Sequence, residues 1–105
     1  MEGLPAVSGS GPAYIFHFIE ALTVAAEKAG LPKATARLLA MQTVYGAASL
    51  AAESQEEPGV LRQQVTSPNG TTAAALGVLM GEDRLTNLLT QAVEAARLRS
   101  IELGK

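Results

Sequence analysis

Between Leu38 and Ala52 the chain carries no charged residue, and this run lies inside a stretch that reads as one helix. Pro32 or Lys33 opens the helix, and the polar break Ser54-Gln55-Glu56-Glu57-Pro58-Gly59 closes it. A helix of about 21 residues is roughly 30 Å long. That is too long and too apolar for the rest of a small domain to cover. A membrane span is the rival reading. The run falls short of the roughly 18 residues a span needs, and it contains Gln42, Thr43 and Ser49. Gly46 sits in mid-helix, where glycine costs about 1 kcal/mol against alanine. Close approach of another helix would justify that cost. The run therefore points to a partner subunit.

The bulk numbers agree with helices packed on helices. A chain of 105 residues makes one domain and not two. Such a chain buries only about 60–70% of its unfolded surface, so its own core is modest. Hydrophobic residues make up 48% of it and aromatic ones only 4%. Much of the hydrophobic share is alanine, which suits close helix contacts. The net charge of −2 comes with no basic stripe, which argues against nucleic acid and against an anionic membrane surface. With no cysteine there are no disulfides and no thiolate metal sites. That fits the cytoplasm, and Met1-Glu2-Gly3-Leu4-Pro5 does not read as a secretory signal.

Along the chain, residues 1–11 read as an extended lead ending in Ser8-Gly9-Ser10-Gly11. Pro12 suits the first position of a helix, where its missing N–H costs nothing. The pattern predicts a first helix from Pro12 to Ala29, stopped by Gly30 with Pro32 just beyond. His17, Glu20, Thr23, Glu27 and Lys28 form one narrow polar stripe on it, and the rest of its girth is apolar. A short helix is expected over Pro58–Gln64 with Val60 and Leu61 facing inward, and another over Thr71–Met80 ended by Gly81. Glu82 and Asp83 then open a last helix to about Leu103, where acids suit the positive end of the dipole. Its apolar face is Leu85, Leu88, Leu89, Ala92, Val93 and Ala96; its wet face is Arg84, Asn87, Gln91, Glu94 and Arg97. No strand-like alternation occurs, so the fold class is all-α.

Val65-Thr66-Ser67-Pro68-Asn69-Gly70-Thr71-Thr72 is the most informative segment for function. Ser67, Pro68 and Gly70 suit the first, second and fourth positions of a type I turn. Thr71 and Thr72 bring two hydroxyls beside the free N–H groups of the following helix. Free N–H groups, the dipole and a flexible glycine together make a seat for a carboxylate or a phosphate. The same residues also read as a plain cap, with Ser67, Asn69 or Thr71 accepting an N–H bond. The two readings are compatible.

Other catalytic parts are scarce. The single histidine, His17, excludes a histidine-pair metal site and reads as solvated beside Glu20. Glu56-Glu57 and Glu82-Asp83 read as a loop and a helix start. Ser8-Gly9-Ser10-Gly11-Pro12 lacks the Gly-x-Gly-x-x-Gly spacing and any preceding strand. Its glycines would let another group approach the main chain, which suits the flat ring of a cofactor.

Two of these segments, taken together, resemble one family. Ser8-Gly9-Ser10-Gly11-Pro12-Ala13-Tyr14, with Glu20-Ala21-Leu22 and Ala29-Gly30-Leu31-Pro32, looks like the opening of the C-terminal domain of pyrroline-5-carboxylate reductase. The segment from Val65 to Thr72 resembles that family's most diagnostic motif. Gln42–Ala48, Ala92–Ala96 and Arg99–Leu103 match in order and spacing. The resemblance implies an intertwined helical dimerisation domain of the kind also seen at the C-terminus of 6-phosphogluconate dehydrogenase. It implies a homodimer, in larger members assembled further as a ring of five. It implies reduction of L-1-pyrroline-5-carboxylate to L-proline with NADPH or NADH, at a site between a nucleotide-binding domain and the partner's helical domain. Carried over, Ser67, Gly70, Thr71 and Thr72 receive the substrate carboxylate, and the Thr72 hydroxyl lies near the imine nitrogen. Gly9, Ser10 and Gly11 fall near the cofactor.

This sequence departs from the family pattern at one position, with Asn69-Gly70 where the family usually has Gly-Gly. Asn tolerates positive φ better than most residues. The chain also shows no dinucleotide-binding motif, and Met1–Pro5 reads as a truncated start. The expectation is a single domain over 1–105, the helical half of the enzyme without its cofactor half and inactive alone. Two alternatives stand beside it. One is a purely structural dimerisation module. The other is the helical half of a hydroxyacid-type dehydrogenase, for which Lys28 and Lys33 have no evident cleft.

Overall fold

The computed structural model describes residues 2–104; Met1, at the head of the expected lead, and Lys105 lie outside the described residues. Five α-helices follow a short opening π-helix: α1 Gly11–Lys28, α2 Lys33–Glu53, α3 Pro58–Gln64, α4 Thr71–Met80 and α5 Arg84–Leu103. No strand occurs among the described residues. The chain divides into two units, residues 12–58 and residues 1–11 with 59–105.

In the first unit the punctuation of the sequence sets the helix ends. Gly30 adopts φ 110°, which only glycine takes easily. Its N–H donates to the Glu27 oxygen at 2.9 Å, and the Leu31 N–H to the Ala26 oxygen at 3.2 Å. This pair of bonds is a Schellman cap. Pro32 precedes α2, whose first closing bond runs from the Ala36 N–H to the Pro32 oxygen at 2.8 Å. The Ser54 N–H ends α2 on the Leu50 oxygen at 2.9 Å. Beyond it, the Ser54 hydroxyl receives the Glu56 N–H at 3.0 Å. The α1 stripe is solvated: His17 Nδ1 lies 3.2 Å from Glu20 Oε1, both side chains exposed. Thr23 turns its hydroxyl back onto the Ile19 oxygen at 2.8 Å.

Buried apolar side chains among the described residues are Ala6, Ala36 and Ala40, all alanines. The large apolar side chains of α1 and α2 stay open, with Phe16 67% and Tyr45 72% exposed. Ile15, Leu38, Met41 and Leu50 are about half exposed. A side chain left in water contributes nothing of the roughly 1.5–3 kcal/mol its burial would supply. The long uncharged run thus remains uncovered within one chain.

The second unit holds the main correction. Residues 1–11 were expected to be extended, yet Pro5–Gly9 form a π-helix, with the Ser10 N–H donating to the Pro5 oxygen at 2.9 Å. Pro5 opens it at a position that needs no N–H, and the Ser8 hydroxyl bonds the Leu4 oxygen at 2.9 Å. The segment packs on α5, and Ala6 is buried. Tertiary packing overrides the loop-like composition of Ser8–Gly11. The α1 helix accordingly begins at Gly11, one residue before Pro12.

Two smaller corrections concern α3 and the last link. Leu61 is half-buried as expected, but Val60 is 37% exposed. Glu82 and Asp83 do not form the first turn of the last helix. They adopt φ 56° and 54°, a left-handed pair that breaks the chain direction before α5 starts at Arg84. The Gly81 N–H still closes α4 on the Gly77 oxygen. The expected apolar face of α5 is largely open, Leu88 being 62% exposed, whereas Val93 and Ala96 are half-buried.

Candidate functional site

The turn between α3 and α4 is built from main-chain bonds. As α3 unwinds, the Thr66 N–H donates to the Gln63 oxygen at 3.1 Å, and the Thr66 hydroxyl to the Arg62 oxygen at 2.6 Å. The Gly70 N–H then closes on the Ser67 oxygen at 3.1 Å. Asn69, the third turn residue, has φ 59°. A type I turn holds its third residue near −90°, while type II requires positive φ there. The turn is therefore not the type I turn that the residues suggested. Asn at the third position is the residue other than glycine that permits the change.

Gly70 is the N-cap of α4 in extended backbone, and no side chain caps the helix. The plain capping reading for Ser67, Asn69 or Thr71 is thus not what the structure shows. The first bond of the helix runs from the Ala74 N–H to the Gly70 oxygen at 3.1 Å. The N–H groups of Thr71, Thr72 and Ala73 precede that bond, and a helix gives them no partner of its own. Gly70 was expected to offer its N–H as well, but that group already bonds Ser67. Position 70 is also crowded, since a Cβ there would lie 3.3 Å from the Ser67 oxygen. Thr71 and Thr72 are exposed, and their hydroxyls make no hydrogen bond within the described residues. The α4 N-terminus thus presents three N–H donors and two hydroxyls at the positive end of a ten-residue helix.

Gly9, Ser10 and Gly11 belong to the junction of the π-helix and α1, a different part of the fold. A Cβ on Gly9 would come within 3.9 Å of Pro5. Ser10 lines a groove of about 410 Å³ with Pro5, Ala6, Ala96, Arg99, Ser100 and Leu103. Gly11 differs, because among the described residues nothing outside its own helix backbone lies within 4 Å of where its Cβ would be. The space that its missing side chain leaves is open.

One interaction was missed from the sequence. Arg84, read as part of the wet face of α5, donates from Nη1 to the Val78 oxygen at 2.8 Å. Its Nη2 lies 3.3 Å from Glu82 Oε1. It ties the far end of the site helix to α5. Further along α5, Arg97 pairs with Glu94 through Nε at 3.1 Å. That hydrogen bond and the guanidinium charge hold the Glu94 carboxyl below its ordinary range.

The comparisons with known proteins decide the family. A family model described as pyrroline-5-carboxylate reductase dimerisation matches residues 1–103. The chain belongs to this family.

The pyrroline-5-carboxylate reductase of Pseudomonas aeruginosa is 48% identical over 105 residues, which is all of this chain and 38% of that protein. The Arabidopsis thaliana enzyme of the same name is 49% identical, over 99% of this chain and 37% of its own length. A solved pyrroline-5-carboxylate reductase from Coxiella burnetii superposes with a TM-score of 0.93 at 52% identity, covering 99% of this chain and 38% of that one. The Plasmodium falciparum pyrroline carboxylate reductase, solved with NADP bound, gives a TM-score of 0.92 at 34% identity, covering 100% of this chain and 40% of that one. The chain thus spans about two fifths of the length of the relatives it matches. It is an all-α dimerisation domain, a kind of domain that implies self-association. Among the described residues no helix is long and apolar enough to cross a membrane.

Proposed function

We propose that this domain serves a reductase that converts L-1-pyrroline-5-carboxylate to L-proline, and that it holds the substrate by its carboxylate at the start of α4. The single observation that carries this reading is the uncapped N-terminus of α4 behind the Asn69 turn. Three unpartnered N–H groups at a dipole's positive end suit a carboxylate. In this reading Ser67 and Gly70 shape the turn, the Thr71 and Thr72 N–H groups bind the carboxylate, and the Thr72 hydroxyl faces the imine nitrogen. A hydroxyl there can hold the proton that the nitrogen gains as the C=N bond is reduced. Fixing the carboxylate also fixes which face of the ring is presented, and such orientation is the main service of a protein in a cofactor reaction.

The nicotinamide group, when bound, supplies the hydride. Among the described residues every element is helical, and in this reading another domain of the enzyme holds the nucleotide. Gly11 suits the approach of a flat ring, because among the described residues nothing outside its own helix backbone lies within 4 Å of the place a Cβ would take; Gly9 and Ser10 lie beside it. The domain works as a homodimer, with the uncovered girths of α1 and α2 intertwined across the interface, and dimers assemble further as a ring of five. The chain alone reduces nothing. The lack of cysteine fits the cytoplasm as its place of work.

Titration of the isotopically labelled chain with L-proline tests the carboxylate seat. The amides of Thr71, Thr72 and Ala73 are expected to shift together and to saturate. Amides that stay still would leave a dimerisation module without a ligand. Sedimentation over a wide concentration range tests the assembly, and a stable monomer would remove the shared site.

A further inference from the structure

Resting on the carboxylate seat proposed above, we infer that Asn69 is a positioning residue for it, acting through its left-handed backbone and not through its side chain. Asn69 at φ 59° is one of three non-glycine residues with positive φ among the described residues, the others being Glu82 and Asp83. The Asn69 twist has a direct local consequence. It lets the Gly70 N–H turn back onto the Ser67 oxygen at 3.1 Å. That bond takes Gly70 out of the donor set, so the outward donors begin at Thr71.

The neighbours leave the turn little room to adjust. On one side the Thr66 hydroxyl fastens the chain to the Arg62 oxygen at the end of α3. On the other, the Gly70 N–H is held on the Ser67 oxygen, and a Cβ added at position 70 would lie 3.3 Å from that oxygen, so a side chain there would force a shift. Asn69 is the hinge between these two fixed points. If φ at 69 relaxed to a negative value, the Gly70 N–H would swing away from Ser67 and the first turn of α4 would be re-aimed. A left-handed conformation is unfavourable for a residue with a Cβ, a penalty that Asn offsets in part and glycine avoids. The side-chain amide of Asn69 has no hydrogen bond within the described residues, so the chain itself does not need that amide.

The test uses the whole chain with Asn69→Ala and Asn69→Gly, each titrated with L-proline while the amides of Thr71, Thr72 and Ala73 are followed. Asn69→Ala is expected to weaken binding roughly tenfold. The Gly70 amide should lose exchange protection in the same variant, and the amides of α5 should stay in place. Asn69→Gly is expected to restore both affinity and protection. A merely structural role would lower melting temperature without touching the affinity ratio. Equal affinity in wild type and Asn69→Ala overturns the inference and leaves the seat standing. Equal loss in the Ala and Gly variants also overturns it, since the side chain would then be the binding group. If the wild-type amides do not respond at all, the seat itself is wrong and the inference falls with it. Should Asn69→Ala fail to fold, Asn69→Asp, which keeps the left-handed tendency, provides the second comparison: retained Gly70 protection is expected, and its loss overturns the inference.

Discussion

The Arg84 guanidinium donates from Nη1 to the main-chain oxygen of Val78 at 2.8 Å, so the first residue of α5 closes the last turn of α4. Val78 is one of the carbonyls a helix leaves without a partner at its C-terminus. A cation there also meets the negative end of the dipole. Arg84→Met removes both effects and is expected to lower unfolding stability by about 1 kcal/mol. Arg84→Lys should recover only part, because the ammonium lacks the fork that reaches Val78 and Glu82 together. Denaturant unfolding of the three proteins at one concentration checks this, and identical midpoints would show the bond to be idle.

Next to that bond lies a strained link. Glu82 and Asp83 both hold positive φ, and Glu has no special tolerance for it. Glu82→Gly relieves the twist while giving up an exposed ion pair worth little. The expected net gain is about 0.5–1 kcal/mol, since glycine's extra freedom in the unfolded chain offsets part of the relief. Glu82→Val should move the melting point the opposite way. A glycine variant that melts lower than wild type would place the strain elsewhere.

Most of the helix boundaries were legible because glycine and proline mark them. Gly30, Pro32, Pro58, Gly81 and Gly104 each sit where a helix starts or stops. What escaped the sequence depends on contacts distant in the chain. The π-helix of Pro5–Gly9 is helical because α5 packs on it, and nothing in Ser8-Gly9-Ser10-Gly11 announces α5. Arg84 reaches back six residues to Val78, a spacing that helix-face counting does not consider. Within the Glu82–Asp83 twist only Asp83 is of a type that tolerates positive φ, and Glu82 carries no such signature. The turn at Ser67–Gly70 was visible as a turn, but Pro at its second position suits both type I and type II. The uncharged run of α2 announced an uncovered surface, and most of its residues are exposed, Ala40 being the buried exception.

Gly46 gives a prediction whose sign separates two accounts. Among the described residues nothing lies within 4 Å of the place its Cβ would take, the helix's own backbone apart. For α2 alone, Gly46→Ala should therefore stabilise the helix by about 1 kcal/mol. If a second copy crosses there, the added methyl meets it and weakens the dimer. The expected outcome is weaker association by sedimentation, with Gly46→Leu weaker still. Tighter association of Gly46→Ala would move the crossing point to another part of the helix.

The Glu94–Arg97 pair predicts a small acid effect. The hydrogen bond from Arg97, then its charge, lowers the Glu94 pKa from the ordinary 4.5. A carboxyl lowered on folding stabilises the fold above its unfolded value, and that contribution fades as pH falls through the folded value. Glu94→Gln should therefore be slightly less stable than wild type at neutral pH. The difference should shrink below pH 4.5 and vanish once the wild-type carboxyl is protonated. Melting curves of both proteins along a pH series check this, and a gap that widens in acid would contradict it. The pair is exposed, so the effect is modest.

Thr72 carries the chemical part of the proposal. Its hydroxyl is exposed and makes no hydrogen bond within the described residues, so the fold does not need it. Thr72→Val keeps the shape and the main-chain N–H while removing the hydroxyl. Carboxylate binding should therefore persist, and the KM for pyrroline-5-carboxylate should change little. The loss should fall on kcat, by about 10- to 100-fold, if the hydroxyl holds the proton for the imine nitrogen. Thr72→Ser should retain most of the rate. The assay joins this chain to the remainder of the Pseudomonas aeruginosa relative, which is 48% identical to it. Unchanged kcat in Thr72→Val would reduce Thr72 to a main-chain donor. A rise in KM without a change in kcat would make its hydroxyl part of the carboxylate seat instead.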